Sequence, residues 1–347
     1  MHLVDAGQPG GGASAAAAGM LAPAGEAQDA GAFRDAAMAS LRMWPEFAAL
    51  LEEETGRSCG LRLDGLLHLA DTPDAGGGLV AAAEQQRAVG IECVAVDAAA
   101  VAELEPAAGA AAAHGGLWYP REGHADSPGT VAALVDAVRR HGGTVDAGTR
   151  VIGRTEEGVE MTGDAAGTVS ARWTVVAAGA WSDAVSRAAG GPALPVTPVR
   201  GQLVALPAPV PAPRCVLFAG RLGYAVSKAD GRLLVGATEE DAGFDVTPDP
   251  VATARLVGLA ALLVRGAGGG EAVPWVGLRP ATPDRLPLVG VLCGSRDGGT
   301  AVATAHHRNG VLLAPLTGEA VARRLLDGGD DPRIAAFDPL RAAVQTA

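Results

Sequence analysis

Arg279 lies in the stretch GLRPATPD, with Pro280 and Pro283 stiffening the chain beside it. A guanidinium holds a carboxylate through two parallel hydrogen bonds, which fix position and orientation together. A surface salt bridge is the plainer use of such an arginine. Asp5 follows a short apolar run, HLV, and precedes a Gly-rich turn. A carboxylate at a strand end can accept two hydrogen bonds from a ribose diol, or it can be solvated. In GASAAAAGM, small side chains at a helix start let the backbone N–H groups of Ala13 and Ser14 approach a phosphate or another electron-rich group. Close packing of an Ala-rich helix is the alternative, and it leaves the Gly19-Met20 pair unexplained. In HHRNG, Asn309-Gly310 opens a helix whose positive end can stabilise negative charge.

Other constellations are weaker. His306 and His307 are adjacent, and neighbouring side chains on a strand do not converge on one ion. His124, Asp126 and Ser127 imitate a triad in letters only, because triad members meet in space and rarely within four residues. No G-x-S-x-G, H-E-x-x-H or phosphate-loop lysine motif occurs, and no metal is expected. Cys59, Cys93, Cys215 and Cys293 are far apart and form no C-x-x-C, so they are expected as free, mostly buried thiols.

The elements that must carry these residues read as α/β. HLV predicts a strand ending at Asp5. GGGASAAAAGMLAP predicts a turn into a helix that Pro23 stops. Residues 32–56 have helical periodicity, broken at Pro45 and ended at Gly56. CGLRLDGLLHLA reads as a strand pair turning at Asp64-Gly65, and AAGAAAAHGG as a surface loop. ARWTVVAAGAWSDAV predicts a buried strand, a tight turn and a helix. From Pro195 onward, short apolar runs between Pro- and Gly-rich loops predict an antiparallel sheet, followed by a helix at DPVATARLVGLAALLV. The tail predicts a strand, a turn at HHRNG and a long helix.

With 347 residues and 48% hydrophobic composition, much of it Ala, the chain is long enough for a large core and two domains. A formal charge of −12 argues against sequence-independent nucleic-acid binding and against docking on anionic lipid. No apolar run approaches the roughly 18 residues of a membrane span, and MHLVDAG lacks the features of a secretory signal. A cytoplasmic location is expected.

Four stretches, GGGASAAAAGMLAP, VVAAGAWSD, GLRPATPDRLPLVG and HHRNGVLLAPLTGEAVARRLL, resemble in order and spacing the FAD-dependent D-amino-acid oxidase superfamily, and within it the glycine oxidases of thiamine biosynthesis. The resemblance runs from residue 5 to about residue 327. It implies a Rossmann-like FAD-binding domain (1–62, 125–195 and 277–347) and an α+β substrate domain with an antiparallel sheet (63–124 and 196–276). Family members open with a strand and G-x-G-x-x-G that hold the FAD pyrophosphate. The unit of roughly thirty residues that carries this motif is not in the sequence. The expectation is that the chain starts at an internal methionine of a longer protein. The alternative is a non-catalytic remnant that has lost FAD.

The resemblance implies roles residue by residue. Arg279 and Tyr224 would hold the substrate carboxylate, and Arg308 would frame the amine and the flavin. Met20, Glu26 and Glu239 would line the substrate pocket, Glu239 standing where the family often has an apolar residue. Asp5 would bind the ribose. Ala13, Ser14, Ala18, Gly19 and Met20 would lie along the flavin, and Val151, Ala178 and Gly179 near the adenine and pyrophosphate. His306, His307, Arg308, Asn309, Gly310, Val311 and Leu312 would complete the cofactor site. Gly277 falls near the flavin-linking cysteine of sarcosine-oxidase relatives, so the FAD would be non-covalent. The implied reaction oxidises glycine or a small amino acid to its imine, with O2 as acceptor and hydrogen peroxide released. A D-amino-acid or sarcosine-type oxidase or dehydrogenase is the alternative. The implied partners are a small amino acid and O2, without nucleic acid or membrane, and a homo-oligomer is compatible with the sequence.

Overall fold

TPVRGQLVALP forms the strand Thr197–Pro207, buried along seven consecutive residues from Arg200 to Leu206. Such continuous burial requires cover on both faces of a sheet. In this computed structural model, which describes residues 1–26, 31–295 and 298–341, that strand is second in an eight-stranded sheet. The order is Val273–Ala281, Thr197–Pro207, Arg232–Gly236, Tyr224–Ser227, Val216–Phe218, Leu66–Leu69, Gly116–Tyr119, Val94–Val96. Every pairing is antiparallel except that of Val216–Phe218 with Leu66–Leu69. Alternation along the strands supplies two cores. Leu67, Leu217 and Leu233 face the helix Pro250–Leu263, where Leu256 and Leu263 are buried with them. Leu66, Val216, Tyr224 and Leu234 face the other way and bury Ala18 and Ala22.

A second body holds the parallel pairings. His2–Val4 pairs with Thr144–Asp146, and Trp173–Val176 with Gly298–Thr304, which continues into Leu288–Ser295. Among the described residues, His2–Val4 and Trp173–Val176 are each paired along one side only. The helices Ala32–Thr55, Ser127–Arg140 and Gly310–Asp327 pack together around Leu41, Trp44, Leu51, Ala133, Leu312 and Leu316. The expected α/β class is the observed one, and the segment expected to form an antiparallel sheet supplies five strands of the large sheet, joined by Leu66–Leu69, Val94–Val96 and Gly116–Tyr119 from the first half.

Four local expectations are corrected. The helix after the glycines is only Ala13–Ala16, and Pro23 begins the next helix, Pro23–Glu26, instead of stopping the first. Proline at a helix start loses no intrahelical bond. The buried Glu122 carboxylate caps that helix by accepting from the N–H groups of Ala24 (2.6 Å) and Gly25 (3.2 Å). Ala32–Thr55 runs through Pro45. Burial of Leu41, Trp44, Ala48 and Leu51 along one face offsets the proline's missing donor. Residues 59–70 make no hairpin: only Leu66–Leu69 is a strand, and Arg62 bridges to His124 instead. The Ala-rich 107–114 segment contains a 3-10 turn, Ala110–His114, with Ala107, Ala108 and Ala112 buried against the end of Pro250–Leu263.

All four cysteines are free. Cys59, Cys93 and Cys215 are buried, and burial foremost pushes each thiol up; Cys293 is exposed. No described helix is long and apolar enough to cross a membrane.

Candidate active site

Between the two bodies lies a cavity of about 70 Å³ lined by Ala13, residues 16–20, Gly201, Leu203, Tyr224, Gly277, Arg279, His307, Arg308 and Val311. Five distant segments thus converge. The strand Val273–Ala281 brings Arg279, and its register against Thr197–Pro207 places Gly277 opposite Gly201. Both glycines are needed for close approach. A Cβ at Gly201 would lie 2.1 Å from Arg279 Nη1, and one at Gly277 would lie 2.5 Å from the Ala16 methyl. Arg279 Nη1 donates to the carbonyls of Thr238 (3.1 Å) and Arg200 (3.5 Å), which orient its fork. Tyr224, 7% exposed, enters from the neighbouring part of the same sheet.

The segment after Ala13–Ala16 is held from behind. Lys228 Nζ donates to the carbonyls of Ala18 (2.6 Å) and Ala125 (3.0 Å) and meets His124 Nδ1 at 3.3 Å. Burial pulls Lys228 down to about 8, so it remains a cation at neutral pH. Trp275 Nε1 donates to the Ala16 carbonyl at 3.2 Å. A second cavity of about 350 Å³, bounded by Gly11, Gly12, Lys228, Arg232 and Trp275, shares Ala16 and Ala17 with the first.

At the mouth, Arg285 Nη1 donates to Glu239 Oε1 and to His307 Nε2, both at 2.8 Å. Burial, then the Arg285 charge, lowers His307 to about 4. It is therefore a neutral acceptor and not an ionic partner of Glu239 at 4.0 Å. Burial raises the Glu239 carboxyl, but the Arg285 hydrogen bond and the nearby Arg285 and Arg279 charges outweigh it, and the net shift is downward. Arg285, Ala305 and His307 have left-handed φ of 61°, 59° and 51°. Such strain persists only where surroundings over-determine it; here the His307 N–H is fixed on the Pro280 carbonyl at 2.9 Å.

Of the residues singled out from sequence, the cavity gathers Ala13, Ala18, Gly19, Met20, Tyr224, Arg279, His307, Arg308 and Val311. Others lie outside its lining. Asp5 ends His2–Val4, its Oδ1 accepting from the Gly7 N–H at 2.8 Å. Ser14 offers its carbonyl to Ser127 Oγ at 2.8 Å. Val151 is on the strand Thr149–Thr155. Ala178 and Gly179 form the turn after Trp173–Val176. His306 turns inward to Thr317, 3.0 Å from its Oγ1. Leu312 is core, and its carbonyl accepts from Ser40 and Trp44. Asn309 and Gly310 open the helix Gly310–Asp327. Glu239 is at the mouth, and the side chain of Glu26 lies outside the described residues. Arg200, Gly201, Gln202 and Lys228 were not singled out from sequence. Among the described residues, no group of three or more His, Cys, Asp or Glu could hold a metal.

The residues present fit the flavin end of a dinucleotide and one turn beside it. The 18-residue helix Gly310–Asp327 starts at the cavity, where Val311 lines it, and Asn309 gives no side-chain cap. Its first N–H groups lack intrahelical partners and suit an electron-rich ring edge. Gly179 has φ +55°, and a Cβ there would meet nothing within 4 Å, which leaves the turn's backbone open to a phosphate.

A family profile described as "DAO: FAD dependent oxidoreductase" matches residues 1–324. The chain belongs to this family. It is an FAD-dependent oxidoreductase, 35% identical over 322 residues to the glycine oxidase of Geobacillus kaustophilus, an alignment covering 92% of this chain and 85% of that protein. It is 30% identical over 343 residues to the bifunctional protein ThiO/ThiG of Nostoc sp., of which it spans about half the length (50%). The crystal structure of the Geobacillus kaustophilus glycine oxidase superposes with a TM-score of 0.87 at 32% identity, covering 98% of this chain and 91% of that one.

The histidines of this DAO-family protein predict its acid stability. Burial foremost lowers His124 to about 3 and His306 and His307 to about 4. An unfolded chain takes these protons near pH 6.5. The folded state resists them until about pH 4 or below, so stability is complete above pH 6.5 and is lost as pH falls toward 4. Urea midpoints should fall between pH 7 and pH 5, and His306→Gln should flatten that fall. Equal slopes in the two proteins would dismiss His306 as a contributor.

Proposed function

We propose that this chain oxidises glycine or a similarly small amino acid to its imine, with O2 as acceptor and hydrogen peroxide as product. What supports this reading most is the meeting of Arg279 and Tyr224 in a cavity of only about 70 Å³.

In this mechanism Arg279 takes the substrate carboxylate through its fork, and the carbonyls of Thr238 and Arg200 keep the fork from rotating. The Tyr224 hydroxyl donates to the same carboxylate. Met20 and Leu203 wall the cavity against longer side chains, and Arg308 frames the amine. FAD, when bound, supplies the electron sink for the Cα hydride, so these residues need only bind, orient and exclude water. The N-terminus of the helix Gly310–Asp327 favours negative charge beside it. Asp5 would hold the ribose. Position 277 is glycine, and the flavin would be held without a covalent link. The imine either hydrolyses to the 2-oxo acid and ammonia or supplies thiazole formation in thiamine synthesis. A cytoplasmic setting suits the free thiols.

The test is peroxide release by the purified, FAD-supplemented protein across glycine, sarcosine and D-amino acids. Glycine should be turned over best, D-alanine less well and D-phenylalanine hardly at all. No peroxide with any of them, and no flavin absorbance retained after gel filtration, would sink the proposal.

A further inference from the structure

Residues 237–249 link the strand Arg232–Gly236 to the helix Pro250–Leu263, and most of this strap is exposed, Phe244 and Val246 by 53% and 54%. Little apolar burial holds it, and such segments open locally without global unfolding. Its attachments come instead from two buried polar residues on Thr197–Pro207, either side of Gly201. Arg200 exchanges backbone hydrogen bonds with Glu240 (2.9 and 3.0 Å). Its guanidinium, with the side chain 8% exposed, donates through Nη2 to the Thr247 carbonyl at 2.6 Å and through Nη1 to Asp245 Oδ2 at 3.2 Å. Arg200 Nε lies 3.7 Å from Glu240 Oε2, attracted but not hydrogen-bonded. Gln202 holds both ends of the strap. Its N–H donates to Thr238 Oγ1 (2.8 Å), its Oε1 accepts from the Asp249 N–H (2.7 Å), and its Nε2 donates to the Asp249 carbonyl (3.0 Å).

The strap touches the site at two places and the other body at a third. Thr238 supplies the carbonyl that orients Arg279, and Glu239 pairs with Arg285 at the mouth. Phe244 rests on Trp181 of the other body, ring centroids 5.5 Å apart. A buried guanidinium is costly to desolvate and weak evidence of stability on its own. Here it fixes the place of a segment that packing does not fix. We infer that Arg200 is a positioning residue for substrate binding: it clamps the strap so that the Thr238 and Arg200 carbonyls hold the Arg279 fork in its carboxylate-binding direction.

The inference rests on the amino-acid-oxidase reading for its kinetic half only. In the FAD-loaded enzyme, Arg200→Ala should raise the KM for glycine at least tenfold with kcat within about threefold. Arg200→Lys, which keeps the charge but not two divergent donors, should recover only part of this. Chymotrypsin should cut after Phe244 at least ten times faster in Arg200→Ala than in wild type, a readout that needs no turnover. Asp245→Asn removes a partner on the exposed strap and leaves the buried arginine in place; it should show both effects in weaker form, and it decides the matter if Arg200→Ala does not fold. Unchanged cleavage, or faster cleavage with KM unchanged, overturns the inference. A wild-type enzyme that oxidises no small amino acid overturns the functional reading instead, while the cleavage rates still show whether Arg200 holds the strap.

Discussion

Arg279→Ala is expected to raise the KM for glycine about 100-fold or more while the protein stays folded. Truncating one member of a desolvated, hydrogen-bonded charge pair costs about 2–5 kcal/mol, and about 2.8 kcal/mol is a factor of 100. Arg279 lines the cavity at the edge strand of the large sheet, and its anchors are backbone carbonyls of neighbouring residues, so its removal leaves the ladder intact. Arg279→Lys should recover little. An ammonium is a point charge without a planar fork, and it would not reach both the carbonyls and the carboxylate. Steady-state kinetics with glycine, alongside a thermal melt, decide this. A KM within threefold of wild type would remove Arg279 from carboxylate binding.

Gly201→Ala should do nearly the same damage from a residue with no side chain. The new Cβ would fall 2.1 Å from Arg279 Nη1 and 2.5 Å from both Cζ and Nη2. These atoms end a flexible side chain, so the guanidinium moves and the sheet does not. Gly201 has no left-handed φ, and alanine in a strand is favoured over glycine by about 0.5–1 kcal/mol. The expected outcome is therefore split: a melting temperature within a few degrees of wild type, and kcat/KM for glycine lowered about 10- to 100-fold, the range of roughly 1.4–2.8 kcal/mol in transition-state binding. Unaltered kinetics would mean that Arg279 has another productive position. A collapse in melting temperature would mean that the sheet, not the fork, gives way.

These two residues show what was legible in the sequence and what was not. Arg279 could be singled out because a guanidinium in a Pro-stiffened stretch has few uses, and Tyr224, Met20 and Arg308 came from the resemblance; all four line one cavity. Gly201 carries no such mark. Its importance depends on the register that sets it opposite Gly277, two residues from Arg279, and hydrophobic periodicity does not report register. Arg200 and Gln202 look like ordinary strand residues until a loop some forty residues later closes over them. The failures at Pro23 and Pro45 have the same origin. Local propensity read each proline as a stop. The cap from Glu122, about a hundred residues away, and the burial of Trp44 beneath Gly310–Asp327 are tertiary facts. The strand ending at Asp5 and the turn at Gly179 were legible because strand, tight turn and small residues are local signals.

The placement of sulfur bears on how long such a catalyst lasts. The proposed reaction releases an oxidant inside the protein's own cleft at every turnover. Peroxide attacks thiolates, not thiols. Cys59, Cys93 and Cys215 are buried and held in the protonated form, by burial before any other cause. They are poor targets for self-inflicted damage. The sulfur nearest the source is the Met20 thioether on the cavity wall, and the accessible thiol is Cys293 on Leu288–Ser295, outside the cavity lining. Ageing during turnover should accordingly begin as sulfoxide at Met20, a chemical lesion that narrows and polarises the cavity.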